Sequence, residues 1–172
     1  MTRTRQDVEV YLAREGLRAR VLRMPANTHT AADAARALGT DLAHIAKSLL
    51  AHLADGPKSG PVPGRFVLCI LRGDTRLDRR KLCRAAGAKR MTLATADEVL
   101  AVTGYPVGAV PPFPLATEVP VYIDRNVPAI DVVYCGGGEV DALVEVSTAE
   151  LVRASRGRIV DLEMEPESLE RY

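Results

Sequence analysis

The sequence predicts one compact domain of the α/β or α+β class, with a mixed sheet curled around a single core. Three observations carry this reading. The chain has 172 residues, the length of one domain with a sizeable core. Apolar residues make up 47 % and charged residues 26 %, which excludes a disordered chain, a collagen and a coiled coil. About seven short strand-like runs interleave with about five helical stretches along most of the length.

In chain order, Gln6–Glu15 carries Val8, Tyr11 and Leu12 on one helical stripe and stops at Gly16. Arg20–Met24 is a short strand. Thr30-Ala-Ala-Asp33 is a capping box with Asp in place of the usual Glu or Gln. It opens a helix with Ala31, Ala34, Ala35 and Leu38 inward, closed by Gly39. Asp41 caps a second, short helix over Leu42–Ala46. Ser48–Leu53 and Arg65–Leu71 are strands. The Gly- and Pro-rich stretch Asp55–Gly64 between them is an exposed, mobile loop. Asp78 caps a helix that runs to Ala86 and ends at Gly87. Lys89–Leu93 is a strand, and Thr95-Ala-Asp-Glu98 is a capping box for a helix to Thr103. Gly104–Leu115 holds four prolines. They remove four backbone donors and preclude regular structure. The Tyr, Val and Phe in this stretch make it a candidate pocket wall rather than a linker. Val119–Ile123, Asp131–Cys135, Ala142–Val146 and Arg158–Leu162 are strand-like, and Ser147-Thr-Ala-Glu150 caps a helix between the last two. Residues 1–162 form the domain, and the acidic tail 163–172 frays.

The apolar runs are far too short to span a bilayer, and no apolar signal segment succeeds the N-terminus. The expected location is therefore the cytoplasm, without a membrane partner. Cys69, Cys83 and Cys135 form no CxxC pair, so neither a zinc knuckle nor a disulfide framework is expected. Cys69 and Cys135 read as small core residues. His29, His44 and His52 have no metal-ligand spacing. His44 and His52 flank the core or face water. No P-loop, GxGxxG or G-x-S-x-G motif is present. No metal or cofactor is expected.

Charge is uneven although the net charge is +1. Residues 1–90 hold 18 Lys/Arg against 8 Asp/Glu, and residues 91–172 hold 5 against 14. Arg72, Arg76, Arg79, Arg80, Lys89 and Arg90 belong to a basic cluster that can attract a polyanion, or simply form a solvated helix face. Seven aromatic residues and no Trp argue against a base-stacking platform.

Four features can carry chemistry. Lys47 stands among apolar neighbours where a short helix meets a strand. Its amine either snorkels to water or points into a cleft, where it can hold a phosphate, a ribose oxygen or a carbonyl. Around Gly108, a side-chain-free backbone held by prolines can offer N–H groups to a ligand. Gly136 and Gly137 are either a second such approach or a plain hairpin turn. His29, in Asn27-Thr-His-Thr30, faces a ligand or serves the loop and cap.

Thr30-Ala-Ala-Asp-Ala-Ala-Arg-Ala-Leu-Gly39 and then His44-Ile-Ala-Lys-Ser-Leu-Leu50 resemble the opening of YbaK-type aminoacyl-tRNA deacylases, relatives of the editing insertion of bacterial prolyl-tRNA synthetases. The likeness continues through Gly73-Asp-Thr-Arg-Leu-Asp-Arg-Arg-Lys-Leu82, Ala86-Gly-Ala-Lys-Arg90, Asp97-Glu-Val and Thr103-Gly-Tyr-Pro-Val-Gly-Ala-Val-Pro-Pro-Phe113. It then extends more weakly through Val133-Tyr-Cys-Gly-Gly-Gly138 to Glu150-Leu151. The resemblance implies a compact α/β domain whose mixed sheet curls into a barrel-like core surrounded by helices, and hydrolysis of the ester that joins a wrong amino acid to the 3′ adenosine of a tRNA. It implies that Lys47 is the residue most tied to activity. The family's Gly-x-x-x-Pro loop falls on Gly108, Ala109, Val110, Pro111 and Pro112. With Thr30, His29, Gly136 and Gly137 these make up the expected substrate site.

The implied partners are mischarged tRNA and, as a further candidate, an aminoacyl-tRNA synthetase. The chain departs from the family in two places. A position acidic in some relatives falls on Leu143, beside Asp141 and Glu145, and the insertion Asp55–Gly64 is longer than expected. The competing readings are a non-catalytic tRNA- or synthetase-binding module of the same fold, and a hydrolase of another acyl ester or nucleotide.

Overall fold

The computed structural model describes residues 1–55 and 65–166. Of the expected mobile loop Asp55–Gly64 and fraying tail 163–172, residues 56–64 and 167–172 lie outside the described residues. The tail is corrected at its start, where Glu163 is buried and bridges Leu77 because Asp124 accepts its N–H. Among the described residues the α-helices are α1 Arg5–Arg14, α2 Ala31–Leu38, α3 Arg79–Ala86, α4 Ala96–Thr103 and α5 Thr148–Ser155. The strands among them are β1 Arg20–Arg23, β2 Ala46–Ala54, β3 Arg65–Arg72, β4 Arg90–Leu93, β5 Val121–Asp124, β6 Val132–Gly136, β7 Ala142–Ser147 and β8 Arg158–Val160.

Helix starts are fixed by side chains that accept otherwise orphaned amide hydrogens. Thr30 Oγ1 accepts from the Asp33 N–H at 3.0 Å, and Thr95 Oγ1 from the Glu98 N–H at 3.3 Å. Asp78 Oδ1 accepts from both Arg80 and Lys81. Gly39, Gly87 and Gly104 end α2, α3 and α4 in the left-handed region. Asp41 makes no such cap. Beyond it lies a single 3-10 turn, Leu42–His44, because the chain extends from Ala46 onward to pair with Arg72 of β3.

The strands build two sheets. One has three strands in the order β1-β7-β6, all antiparallel, and the other five in the order β4-β2-β3-β5-β8. The larger sheet is mixed: β2 pairs antiparallel with β3 and β4, while β3–β5 and β5–β8 are parallel. The expected barrel-like curl is therefore corrected to two open sheets. Their ladders are separate, joined by a bridge between Ile45 and Tyr134. The larger sheet keeps β4 and β8 as edges, and a sheet with two unpaired edges is not a closed barrel.

The five-stranded sheet is covered on both faces, which is why β3 is buried at five successive residues, Val67–Leu71. On one face Leu50, Leu68, Ile70 and Ile123 meet Val133, Cys135, Val144 and Val146 of the smaller sheet, with Val8, Val99 and Leu151 from α1, α4 and α5. On the other, Ala51, Leu53, Val67, Cys69 and Leu71 pack beneath Leu82 of α3. A third, small cluster of Ala34, Ala35, Ile45 and Leu143 ties α2 to the smaller sheet. Cys69 and Cys135 lie in the core, and burial pushes both thiols up to about 12. No helix among the described residues is long and apolar enough to cross a membrane.

Candidate active site

Lys47 is the second residue of β2, opposite Leu71. Strand alternation puts it on the side of Leu49, Ala51 and Leu53, toward α3. Its amine donates a hydrogen bond to the Thr75 carbonyl. That carbonyl belongs to the turn after β3, which Thr75 closes on the Arg72 carbonyl through its N–H at 3.3 Å and its hydroxyl at 3.1 Å. Gly73 lets the turn lie flat. A Cβ there would stand 2.5 Å from the Leu42 carbonyl oxygen and 3.2 Å from Ala31 Cβ. Burial pulls the Lys47 pKa below the ordinary lysine value. Asp74 and Glu163 oppose that shift, and Arg76 adds to it.

The glycine turn is built from the other side of β2. Gly108 has φ +86° and sits against His29, so a Cβ would meet the His29 carbonyl oxygen at 2.7 Å and Cε1 at 2.8 Å. The Ala109 N–H is bound to the Pro106 carbonyl, and the Ala109 carbonyl accepts from Gly138 at 2.9 Å. Among the described residues the N–H groups of Gly108 and Val110 have no hydrogen bond. Gly108 is exposed, whereas Ala109, Val110, Pro111 and Pro112 are buried. The space over Gly136 is taken by the chain itself, with the Val110 and Ala109 carbonyl carbons 2.7 and 2.9 Å from where a Cβ would be. Gly137 closes on Ala142 at 3.0 Å. Thr30 is engaged as a cap, its hydroxyl 2.6 Å from Asp33 Oδ2.

His29, Gly108, Ala109, Val110 and Gly136 thus come together, whereas the Lys47 amine is bonded to the Thr75 carbonyl. Ala46 and Val110 share one core cluster, and Lys47 leaves the strand toward the other. The link between the halves is His29–Ala31. His29 rests on Gly108 and Ala31 on Gly73, two residues apart, or about 7 Å of extended chain. An open groove of ≈ 620 Å³ runs beside the glycine turn, lined by Met24, Asn27, Pro106, Gly138 and Asp141 among others. Leu143 is buried in the small cluster with Ala34 and Ile45, while Asp141 pairs with Arg23 and Glu145 with Arg20.

The basic cluster divides. Arg72 is held by Asp74 and Glu163, and Lys81 by Asp161 and Glu165. Arg76, Arg79, Arg80 and Lys89 are exposed, and none of the ion pairs found among the described residues involves them. Arg90 is half-buried on β4. Among the described residues no group of three or more His, Cys, Asp or Glu could hold a metal ion.

Sequence reasoning missed Glu163, which is 5 % exposed and lies in the surroundings of Lys47. The signal for it is its place directly after the strand-like run Arg158–Leu162.

A model of the aminoacyl-tRNA editing domain matches residues 25–154. The Escherichia coli K12 protein named multifunctional Ser/Thr-tRNA deacylase ProXp-y is 29 % identical over 163 residues, 92 % of each chain. The proline–tRNA ligase of Shouchella clausii is 32 % identical over 110 residues, 64 % of this chain and 18 % of that one, so the likeness is to one segment of a larger enzyme. The solved structure of a candidate trans-editing enzyme for prolyl-tRNA synthetase superposes with a TM-score of 0.82 at 30 % identity, covering 96 % of this chain and 99 % of that one.

Proposed function

Since the chain belongs to the aminoacyl-tRNA editing domain family, we propose that it is a stand-alone trans-editing deacylase, acting in the cytoplasm on mischarged tRNA. The observation that carries this is the half-buried Lys47 amine on the Thr75 carbonyl, at the end of the sheet that His29–Ala31 connects to the glycine turn. An aminoacyl ester is already activated, so hydrolysis needs positioning and charge stabilisation more than a strong protein nucleophile. Lys47 exchanges the Thr75 carbonyl for the substrate and, as an ammonium, stabilises the negative charge that grows on the ester oxygen. The N–H groups of Gly108 and Val110, on the other side of β2, are a separate contact for the terminal adenosine, reached across the His29–Ala31 link. The attacking group is water, or a hydroxyl or thiol supplied by the substrate; the ester C–O bond to the ribose breaks, and the ribose oxygen leaves as a hydroxyl with the proton the nucleophile gives up.

The exposed Arg76, Arg79, Arg80 and Lys89 contact phosphates of the acceptor stem, with Arg90 beside them. Such contacts release counterions, so affinity falls steeply as salt rises. A binding constant that does not change between low and high salt would remove them from the interface.

The experiment is a panel of mischarged tRNAs with wild-type protein, Lys47→Ala and Lys47→Arg. Release of amino acid from at least one tRNA is expected with wild type, falling by about a hundredfold or more in Lys47→Ala. Spontaneous rates throughout the panel would refute the enzyme reading. Recovery of a synthetase on the protein, with deacylation unaffected by Lys47→Ala, would favour the non-catalytic module.

A further inference from the structure

Glu163 lies just beyond the last strand, yet it is as deeply buried as the core-facing Ala35 of α2 and Val99 of α4. Two elements reach its carboxylate. Arg72, at the end of β3, approaches with Nε at 3.3 Å from Oε1 and a terminal nitrogen at 3.4 Å from Oε2. Asn126, after β5, donates to Oε2 at 3.0 Å. The backbone is fixed separately. The Glu163 N–H donates to the buried Asp124 Oδ2 at 3.0 Å, and its carbonyl accepts from Lys81 at 2.8 Å. The Met164 N–H donates to the Arg76 carbonyl at 2.8 Å. A carboxylate buried this way gives up hydration that one arginine does not fully restore. A buried ion pair is weak evidence of a stabilising role, and the place of this one, next to the Lys47 turn, points to a local task.

Glu163 holds that turn. Arg72 and Thr75 are the two ends of the turn whose carbonyl receives the Lys47 amine. The charges around that amine come from two elements: Asp74 and Arg76 from the turn, and Glu163 from the C-terminal segment. Arg72 is neutralised by Asp74 and Glu163, and Lys81 by Asp161 and Glu165. We propose that Glu163 is a positioning residue for Lys47: it holds the Arg72–Thr75 turn in place beneath the amine and supplies the buried negative charge that offsets Arg72 and Arg76 there. The proposal rests on the reading of Lys47 as the working amine. Burial pushes the Glu163 carboxyl up, but the hydrogen bonds from Asn126 and Arg72 and the Arg72 charge help to outweigh it and hold the group below the usual carboxylate range, so it stays ionised wherever lysine titrates.

The test measures how fast an amine-selective acylating reagent modifies Lys47 in the full chain, read by peptide mass spectrometry from neutral to alkaline pH. Deacylation is tracked over the same range. Glu163→Gln keeps the shape and removes the charge. It is expected to move the Lys47 labelling curve to lower pH, raising the labelling rate at a fixed pH by about three- to tenfold. The alkaline limb of deacylation should move the same way. Glu163→Asp keeps the charge and is expected to fall between. A folded Glu163→Gln protein with the wild-type labelling curve overturns the proposal. If Glu163→Gln does not fold, Glu163→Asp decides: a wild-type curve, or failure of both variants to fold, assigns Glu163 to the fold alone and overturns it. Because labelling needs no tRNA, a shifted curve without any wild-type deacylation refutes the deacylase reading and leaves the coupling of Glu163 to Lys47 intact.

Discussion

Asp124→Ala is expected to lower the unfolding free energy by at least about 3 kcal/mol. The carboxylate is fully buried at the end of β5. It accepts three backbone N–H groups: Asn126 at 2.8 Å on Oδ1, and Leu162 at 2.8 Å and Glu163 at 3.0 Å on Oδ2. Alanine leaves the Leu162 and Glu163 donors buried and the Asn126 donor part-buried without an acceptor, and each buried stranded donor costs about 1–3 kcal/mol. Asparagine keeps one oxygen and turns an NH2 group toward the remaining donors, so Asp124→Asn should lie between. Urea unfolding measures both. A loss below about 1 kcal/mol for Asp124→Ala would mean that some other contact holds residues 162 and 163, and the support described for Glu163 would have to be redrawn.

Gly136→Ala is the second large effect, and it acts by collision rather than by backbone conformation. The added methyl would meet the carbonyl group of Val110 and the carbonyl carbon of Ala109. These are backbone atoms, which cannot rotate aside. Overpacking of this kind costs about 1–3 kcal/mol. The strand must shift or the glycine turn must lift, so deacylation should fall with stability. Gly87→Ala is the matched control. Gly87 has φ +63° and nothing within 4 Å of a Cβ, so it incurs only the left-handed backbone cost, about 1–2 kcal/mol, with no effect on the turn. Thermal unfolding and deacylation of the two variants separate these causes. Equal activity loss in both would deny Gly136 its role as the floor of the turn.

Local chemistry made most elements legible. Thr30 and Thr95 each stand three residues before an acid, and both form the reciprocal cap that this spacing foretells. Thr4 and Asp7 share the Thr-x-x-Asp form and make the same contact, with the Thr4 N–H 2.8 Å from Asp7 Oδ2. That spacing is plain in the sequence, and a helix start at Gln6 overlooks it. The face taken by Lys47 was harder to see. A helix read through Ala46 hides the alternation that starts there, and only the partner Arg72 shows that β2 begins early. Sheet order was illegible for a related reason. Val67–Leu71 is apolar throughout, so nothing in it distinguishes its antiparallel neighbour β2 from its parallel neighbour β5. At the candidate site, sequence pointed to Gly108 and Gly136 as open approaches, but which atoms fill the space over a glycine depends on distant chain. Glu163 was hidden because burial at that residue comes from Asp124, Asn126 and Arg72, none of them its sequence neighbours.

The pairing of β1 with β7 has a consequence for how the molecule is made. Arg20 of β1 faces Glu145 of β7, 125 residues away. A nascent chain leaving the ribosome must therefore carry β1 unpaired until nearly all of the domain has been synthesised. Closing so long a loop slows folding more than it weakens the product. During translation that strand is the part of the protein most open to capture by a chaperone or by a neighbouring polypeptide.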